Sequence, residues 1–276
     1  MADTPRLDAY LDRIGLSARP EPGIEGLQAL KIAHRRSIAF ENLDVQLGRV
    51  IEADSDSAFA KLVTRRRGGY CFEQNRLFAD MLADLGLPTR PLLARVRLNV
   101  EGETPPRGHV LLLAEISGEQ WIADVGFGGS FVPALPLRDG AEAAGFDGAH
   151  HRLRRIGELG DLRGQWLFER RAGESDAPWV PQYTFNLCEV APNDIEQANH
   201  WTQTSPRSRF TTMQLATIVL PGGFASLVGN VFTVSDAQGS REERIESATA
   251  YADCLRTHFQ LDFSDDEAAS LPVFSL

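Results

Sequence analysis

Cys71 lies in a sequence context that favours a reactive thiol. Three arginines and two glycines precede it at positions 65–69, and apolar residues at helical spacing follow it as far as Leu85. This spacing predicts a helix whose N-terminus lies at Cys71 or just after it. A helix N-terminus and nearby cations both stabilise a thiolate, the nucleophilic form of cysteine. A buried structural cysteine is the commoner outcome for this residue type, so the local sequence leaves both interpretations open.

His109 and Asp124 are predicted to lie on one face of a β-hairpin. Alternating apolar residues form two strands around a short Ser-Gly turn, with the histidine at the start of the first strand and the aspartate at the end of the second. Ile116 can pair with Glu119, or with Trp121 across a longer loop. In either register the histidine and the aspartate point to the same face, near the same end of the sheet.

An aspartate beside a histidine fixes the histidine tautomer and stabilises its imidazolium form, which in turn can hold a cysteine as thiolate. Cys71 is the cysteine whose context is activating. Taken alone, His109 could start a strand and Asp124 could belong to a turn. Their shared face favours a Cys-His-Asp site.

The segment Gly126-Phe127-Gly128-Gly129 follows this aspartate directly. Its glycines permit close backbone approach and could present N–H groups to a phosphate or an oxyanion. Glycines after a strand more often make an ordinary turn, so the segment alone is weak evidence. It lacks the Gly-Lys-Ser/Thr end of a nucleotide-binding P-loop.

The composition is typical of a globular protein that binds neither nucleic acid nor membrane. The chain has 276 residues, 43% of them hydrophobic, with a net charge of -10, and its pI is about 5.1. The first residues lack a hydrophobic signal core, and no apolar run approaches the roughly 20 residues of a membrane span. Three widely separated cysteines fit neither a disulfide framework nor a zinc site, so we expect no metal and a cytoplasmic location.

Helical spacing dominates as far as residue 88. It predicts helices over residues 7–14, 24–33 and 57–63, the last capped by Ser55 or Asp56, and a fourth after Cys71. Beyond residue 88 the period changes to two. Strands are predicted over residues 92–100, 165–168, 182–187, 213–220 and 226–234, in addition to the two strands of the hairpin. A short helix is predicted over residues 192–199 and a closing helix over residues 247–259. Residues 138–164 predict a long loop that includes His150 and His151.

Three sequence blocks together closely resemble the arylamine N-acetyltransferases. They are Arg-Gly-Gly-Tyr-Cys-Phe-Glu-Gln-Asn at 67–75, Gly-His-Val at 108–110 and Ala-Asp-Val-Gly-Phe-Gly at 123–128. Residues 38–43 resemble the family segment ahead of the cysteine, and Asn199 with residues 204–210 resembles a later family signature. The resemblance covers nearly the whole chain, in order and at the expected spacing.

The resemblance implies a Cys71-His109-Asp124 triad on an α+β fold with a core like that of cysteine peptidases and transglutaminases. It implies an N-terminal helical bundle at 1–88 that carries the cysteine, a central antiparallel β-barrel at 89–200 that carries the histidine and aspartate, and a C-terminal α/β lid at 201–276. It also implies ping-pong transfer from acetyl-CoA, a co-substrate rather than a tightly bound cofactor, to an arylamine or hydrazine. The sequence gives no indication of the oligomeric state.

The resemblance also implies contacts with the two substrates. The expected donor contacts are Gly126, Gly128, Gly129, Trp201, Ser208 and Phe210. Arg207 and Arg209 could meet phosphate or could lie in a solvated loop. The expected acceptor pocket is formed by Phe40, Phe72 and Phe127, although core packing explains these rings equally well. Glu41 and Arg67 are expected to form a structural ion pair behind the cysteine.

Three departures leave the acceptor open: Ala39 and Gln74 stand where the family often has Pro and His, and residues 138–164 align poorly. Three alternatives share the site or the fold. The first is an amide synthase that closes a macrolactam from a carrier-bound polyketide chain. The second is a peptidase or transglutaminase-like hydrolase. The third, a non-catalytic binding protein, is disfavoured by the intact triad.

Overall fold

The helices of the N-terminal part pack their predicted apolar faces together. In the computed structural model, which describes residues 5–100, 104–145, 148–173, 176–236 and 238–274, α1 covers Pro5–Arg13, α2 Ile24–Ser37, α3 Leu43–Gln46, α4 Ser55–Phe59 and α5 Cys71–Asp84. The shared core includes Tyr10, Leu27, Leu30, Phe78 and Met81, all at most 1% exposed. Helix packing therefore follows the 3.6-residue period of the sequence.

Helix α4 differs from the prediction at both ends. Its N-cap is Asp54, not Ser55 or Asp56, because the Asp54 carboxylate accepts hydrogen bonds from the backbone N–H groups of residues 56 and 57. Acidic and hydroxyl side chains cap equally well, so three candidates in succession could not be separated by sequence. The helix then continues as a π-helical turn over Ala60–Thr64.

The larger sheet carries the predicted hairpin. Its strands are β2 Thr89–Val96, β3 His109–Ile116, β4 Glu119–Ile122, β5 Leu135–Pro136, β6 Glu142–Ala144, β7 His150–Arg155, β8 Trp166–Arg171 and β9 Val180–Phe185. In the described part of the chain these eight strands pair in the order β5-β4-β3-β2-β9-β8-β7-β6, each neighbour antiparallel. Only residues 137–141 separate the two edge strands, so the sheet is a nearly closed barrel around an apolar core.

The prediction of a long loop over residues 138–164 is wrong. Strands β6 and β7 lie there, and His151 is fully buried in β7 and stacks on Phe168 with ring centroids 5.5 Å apart. The hydrophobic pattern could not show this strand, because Leu153 is its single aliphatic residue and histidine or arginine fills the other positions.

A second sheet joins the two ends of the chain. It pairs β1 Phe40–Glu41, β10 Leu215–Leu220, β11 Gly223–Val228, β12 Val231–Asp236 and β13 Gly239–Arg244 in the order β1-β10-β11-β12-β13. Helices α8 Ala248–Phe259 and α9 Asp265–Ala269 pack on it. The single strand predicted over 226–234 is wrong, because Gly229, with φ 57, begins a turn between β11 and β12.

Helix α6 Pro192–Thr204 runs past the predicted end at residue 199, and α7 Arg209–Thr212 follows it. Helix α6 crosses residue 200, where the predicted β-barrel part was expected to end and the lid to begin. Strand β1, from the predicted helical part, pairs with β10 of the predicted lid. The division into three parts stays a prediction. Among the described residues, no helix combines the length and the apolar character needed to cross a membrane.

Candidate active site

His109 and Asp124 are hydrogen-bonded at one end of the β3–β4 hairpin. Ile116 pairs with Glu119, the first of the two predicted registers. The aspartate follows the last residue of β4 by two positions, and its Oδ2 lies 2.8 Å from Nε2 of the histidine. The two residues are 2% and 1% exposed. The shared face that strand parity predicted is therefore realised as a direct contact.

Cys71 is the first residue of α5 and lies against this pair. It is 2% exposed, and its Sγ is 3.8 Å from the carbonyl oxygen of Gly108. Burial alone would lower the pKa of His109, but the charge and hydrogen bond of Asp124, followed by the hydrogen bond and charge of Cys71, raise it from 6.5 to about 10. Since Asp124 occupies Nε2, Nδ1 is the ring nitrogen available to the sulfur. The arrangement therefore stabilises the imidazolium form of His109.

Asp124 is held in its ionised form although it is buried. Burial would raise the pKa of this carboxyl, but the charge and hydrogen bond of His109, the side-chain amide of Asn75 and the backbone N–H of Gly126 lower it below its usual value. The amide and the N–H both donate to Oδ1, at 3.0 and 2.8 Å. The oxygen that faces away from the histidine is thus also satisfied, which fixes the carboxylate plane.

Asn75 ties the cysteine helix to the hairpin, and the sequence prediction gave it no role. It lies one helical turn after Cys71 on α5. Besides Asp124, its side chain donates to the Val110 carbonyl at 2.7 Å and accepts from the Val125 N–H at 3.1 Å. Its i+4 spacing from the cysteine was the one sequence feature that placed it on the same helix face.

The predicted glycine segment packs directly against the cysteine. A Cβ on Gly126 would lie 2.7 Å from the Cα of Cys71, and a Cβ on Gly128 would lie 2.5 Å from the ring of Phe40. A Cβ on Gly129 would be less crowded, with its nearest heavy atoms at 3.1 Å. Close approach therefore explains the first two glycines without a ligand. Their contacts with a donor stay a prediction.

The three predicted acceptor rings lie in two clusters. Phe40 and Phe72, 4% and 1% exposed, share a cluster with Cys71. Phe127, 5% exposed, belongs to the barrel core and meets His109 edge-on, with ring centroids 5.4 Å apart. All three rings border the candidate triad or its helix. A common pocket for the acceptor stays a prediction.

The other residues expected to contact the donor, Trp201, Ser208 and Phe210, lie on α6, α7 and the segment between them. The Ser208 hydroxyl donates to the Thr202 carbonyl at 2.6 Å and caps α7 by accepting from the Phe210 N–H at 3.2 Å. Its buried hydroxyl therefore has a structural role. Arg207 and Arg209 are exposed. Their contact with phosphate stays a prediction.

Trp201 lines a cavity of about 320 Å³. The lining also includes Pro106 and Arg107, which directly precede the Gly-His pair at 108–109, the apolar Leu93 and Ala198, and the carboxylates of Glu189 and Asp194. Leu93 and Ala198 also belong to the cluster that contains the candidate cysteine. Sequence reasoning gave Arg107 no role, because one arginine in a polar, proline-containing segment has no distinguishing pattern.

The predicted ion pair between Glu41 and Arg67 is wrong. The guanidinium of Arg67 binds Asp44 at 3.1 Å and Glu267 at 3.2 Å. Oε2 of Glu41 instead accepts the backbone N–H of Leu43 at 2.6 Å. Glu267 is distant in sequence, on α9, so no local pattern could have indicated this partner.

The remaining histidine and cysteine candidates have structural surroundings. No partner of His34 is visible in the sequence, yet it is buried between the Tyr10 hydroxyl at 2.9 Å and the Gln74 side-chain oxygen at 2.5 Å. Burial lowers its pKa to about 3. Cys254 is buried, whereas Cys188 is half-buried. In the ranges that the structure describes, no group of three or more His, Cys, Asp or Glu is placed to hold a metal ion.

Comparison with known proteins gives a consistent result. The profile of the N-acetyltransferase family matches residues 23–268. An arylamine N-acetyltransferase from Escherichia coli (strain K12) is 39% identical over 95% of this chain and 91% of the relative. An arylamine N-acetyltransferase / N-hydroxyarylamine O-acetyltransferase from Salmonella typhimurium is 38% identical over 87% of this chain and 82% of its own.

Solved structures agree with the sequence comparison. The arylamine N-acetyltransferase from Salmonella typhimurium superposes with a TM-score of 0.90 at 33% identity, over 99% of each chain. The Mycobacterium marinum arylamine N-acetyltransferase in complex with CoA has a TM-score of 0.85 at 29% identity, over 95% of this chain and 96% of its own. The fold class predicted from the sequence is confirmed, and the chain belongs to the arylamine N-acetyltransferase family.

Proposed function

We propose that this protein transfers the acetyl group of acetyl-CoA to the nitrogen of an arylamine or hydrazine through an acetyl-cysteine. The observation that carries the proposal is the buried hydrogen bond of 2.8 Å between His109 and Asp124 with Cys71 beside it. Membership of a family whose relatives are named arylamine N-acetyltransferases supports the substrate class. The catalytic roles of the three residues are part of the proposal.

In the first half-reaction, the thiolate of Cys71 attacks the thioester carbonyl of acetyl-CoA. The carbon–sulfur bond to CoA breaks, and the departing CoA sulfur takes the proton of the His109 imidazolium. The products are free CoA, an acetyl-cysteine and a neutral histidine that stays hydrogen-bonded to Asp124. The reaction exchanges one thioester for another, so it is nearly balanced in free energy.

In the second half-reaction, the neutral amine attacks the acetyl-cysteine. His109, now neutral, takes the proton that the amine loses, and the Cys71 thiolate departs. The imidazolium–thiolate pair is thereby restored. An aromatic amine is a weak base and is unprotonated at neutral pH, so it arrives as a nucleophile without help from the protein.

We propose the donor and acceptor contacts by the same resemblance. The donor side comprises Gly126, Gly128, Gly129, Trp201, Ser208 and Phe210, and the acceptor side Phe40, Phe72 and Phe127. The cavity that Trp201 lines supports its place on the donor side, and the closeness of the phenylalanine rings to Cys71 and His109 supports the acceptor side. We also propose a cytoplasmic location, which the free thiols of Cys71, Cys188 and Cys254 support.

Labelling with radioactive acetyl-CoA tests the proposal. Wild type should retain stoichiometric label after gel filtration, Cys71→Ala should retain none, and the matched variants Cys188→Ala and Cys254→Ala should behave as wild type. Adding an arylamine should discharge the label into acetylated amine. Equal labelling of Cys71→Ala and wild type would refute the mechanism.

A substrate panel then defines the acceptor. Free CoA release is followed with arylamines, hydrazines and an N-hydroxyarylamine, each with several acyl-CoAs. The names of the relatives favour neither the macrolactam synthase nor the peptidase-like alternative. Amine-independent hydrolysis of peptides, or no CoA release with any amine, would contradict the proposed function.

A further inference from the structure

Helix α2 presents two buried cations to the end of the hairpin that carries Asp124. Lys31 and Arg35 lie one helical turn apart and are 0% and 1% exposed. The lysine Nζ donates to the carbonyl of Ile122 at 3.3 Å, and Nη2 of the arginine donates to the carbonyl of Phe127 at 3.2 Å. These two carbonyls flank the aspartate on either side. The cations therefore hold both ends of the segment on which it lies.

Hydrogen bonds alone do not account for the burial of these two cations. Nη1 of Arg35 has no hydrogen-bond partner among the described residues, and the amine of Lys31 makes one long bond. A buried cation is costly unless it is paired with an anion. Burial lowers the pKa of Arg35 to about 10 and that of Lys31 to about 7, and the negative charge of Asp124 opposes both shifts. The attraction that offsets burial is thus directed at this carboxylate.

The charge of the candidate triad explains why it needs a cation. With Cys71 as thiolate, His109 as imidazolium and Asp124 as carboxylate, the buried set carries a net charge of minus one. Arg35 brings the sum to zero. Lys31, whose pKa lies near neutrality, adds charge only at lower pH. A neutral buried cluster is more favourable in low-dielectric surroundings than a charged one.

We propose that Arg35, assisted by Lys31, is a positioning residue that cancels the excess negative charge of the triad, keeps Cys71 ionised and anchors the segment that carries Asp124. The inference rests on the proposed function, since it assumes the three catalytic roles. Removing the arginine leaves the thiolate beside an uncompensated carboxylate, so the pKa of the thiol must rise. A residue that only filled space would change stability and leave this pKa unaltered.

Other ionisable groups near the triad are common to every variant. They are Tyr70 and the Glu73–Lys61 pair on the cysteine side, Tyr183 on β9, and the histidine and aspartate of the hairpin. The comparison between variants therefore isolates the charge on α2.

The test is a pH titration of thiolate absorbance. The Cys71→Ser variant is the blank: it keeps Cys188 and Cys254, and its absorbance is subtracted so that the signal of Cys71 remains. Arg35→Met should raise the midpoint by about one pH unit. Arg35→Lys should raise it by less, because burial lowers the pKa of a lysine at this depth, as it does for Lys31. Arg36→Met, which removes the neighbouring charge on the same helix, should titrate as wild type. Far-ultraviolet circular dichroism and a thermal melt establish that each variant is folded.

A folded Arg35→Met protein with the wild-type midpoint would overturn the inference while leaving the proposed function intact. Absence of any Cys71-dependent thiolate signal in wild type would overturn both. If Arg35→Met does not fold, Arg35→Gln decides, because its amide can still donate to the Phe127 carbonyl. A raised midpoint in Arg35→Gln supports charge compensation from α2, and an unchanged midpoint refutes it.

Discussion

Gly126 lies so close to Cys71 that a Cβ added to it would come within 2.7 Å of the cysteine Cα. The glycine belongs to the segment just after Asp124, and the cysteine begins α5. The contact therefore presses the end of the hairpin onto the N-terminus of the cysteine helix. The distance between Cys71 and His109 depends on this packing as well as on hydrogen bonds.

We predict that Gly126→Ala separates these two segments. The added methyl group must displace backbone, so unfolding free energy should fall by about 1–3 kcal/mol, and the rate of acetyl-cysteine formation should fall further. Rapid-quench labelling and chemical denaturation measure the two effects. Gly23→Ala is the control, because nothing lies within 4 Å of a Cβ there. Wild-type labelling rates in a Gly126→Ala protein would contradict the role given to this contact.

Asn75→Leu should uncouple α5 from the hairpin. The variant removes the hydrogen bonds to Asp124, to the Val110 carbonyl and from the Val125 N–H, and it leaves buried polar atoms without partners. We expect a loss of about 1–3 kcal/mol in stability and a rise in the pKa of Asp124, since the amide helps to lower it.

The acidic limb of the pH–rate profile reports the pKa of Asp124, so in Asn75→Leu this limb should move to higher pH. Asn193→Leu, on the exposed surface of α6, should change neither property. A stable Asn75→Leu protein with an unshifted acidic limb would show that the aspartate does not depend on this amide.

The raised pKa of His109 predicts how stability depends on pH. Its folded value of about 10 lies above the ordinary 6.5, so the protonated ring stabilises the folded state fully below 6.5 and loses this contribution as pH rises through about 10. The effect of Asp124 on stability has the opposite pH dependence. Because its pKa is lowered in the folded state, its ionised form stabilises the fold above the ordinary carboxyl pKa, and this stabilisation is lost as the pH falls into the acid range.

Thermal melts between pH 6.5 and 10 test the contribution of protonated His109 to the stability of the folded state. Wild type should lose stability steadily across this interval, and His109→Gln should show a flatter curve because it has no proton to lose there. Parallel curves for the two proteins would mean that the imidazolium is not stabilised in the folded state.

The grouping of Cys71, His109 and Asp124 was predictable because each residue leaves a local pattern. Cys71 stands at a change from arginine and glycine to a helical period, and the positions of His109 and Asp124 in a hairpin fix their side chains to one face. Strand parity needs no knowledge of the rest of the chain. The family resemblance then joined the two segments, which periodicity alone could not do.

The supporting residues were not predictable for a physical reason. Lys31 and Arg35 occupy the apolar side of α2 and break its hydrophobic pattern, so sequence periodicity places such residues in solvent. The carboxylate and the two carbonyl groups that they interact with lie on residues 122–127, about 90 residues away in the chain. Likewise, β7 was missed because buried His151 replaces the apolar residue that would have marked a strand.

The wrong partner assigned to Arg67 leads to a last prediction. Glu267 binds both Arg67, at 3.2 Å, and Arg49, at 2.7 Å, and its other oxygen accepts the Ser264 N–H that caps α9. Glu267→Gln should therefore lower the unfolding free energy by about 0.5–1 kcal/mol, a modest value because the carboxylate is partly exposed and screened by solvent. The loss should shrink as salt concentration rises.

Chemical denaturation at low and high salt measures this loss. Asp266→Asn is the matched control, since it removes a charge from the neighbouring exposed position of α9 and no ion pair of Arg67. Because Arg67 keeps Asp44 as a second partner at 3.1 Å, acetyl-cysteine formation should be nearly unchanged in Glu267→Gln. A large loss of labelling with little loss of stability would instead place α9 in control of the segment before Cys71.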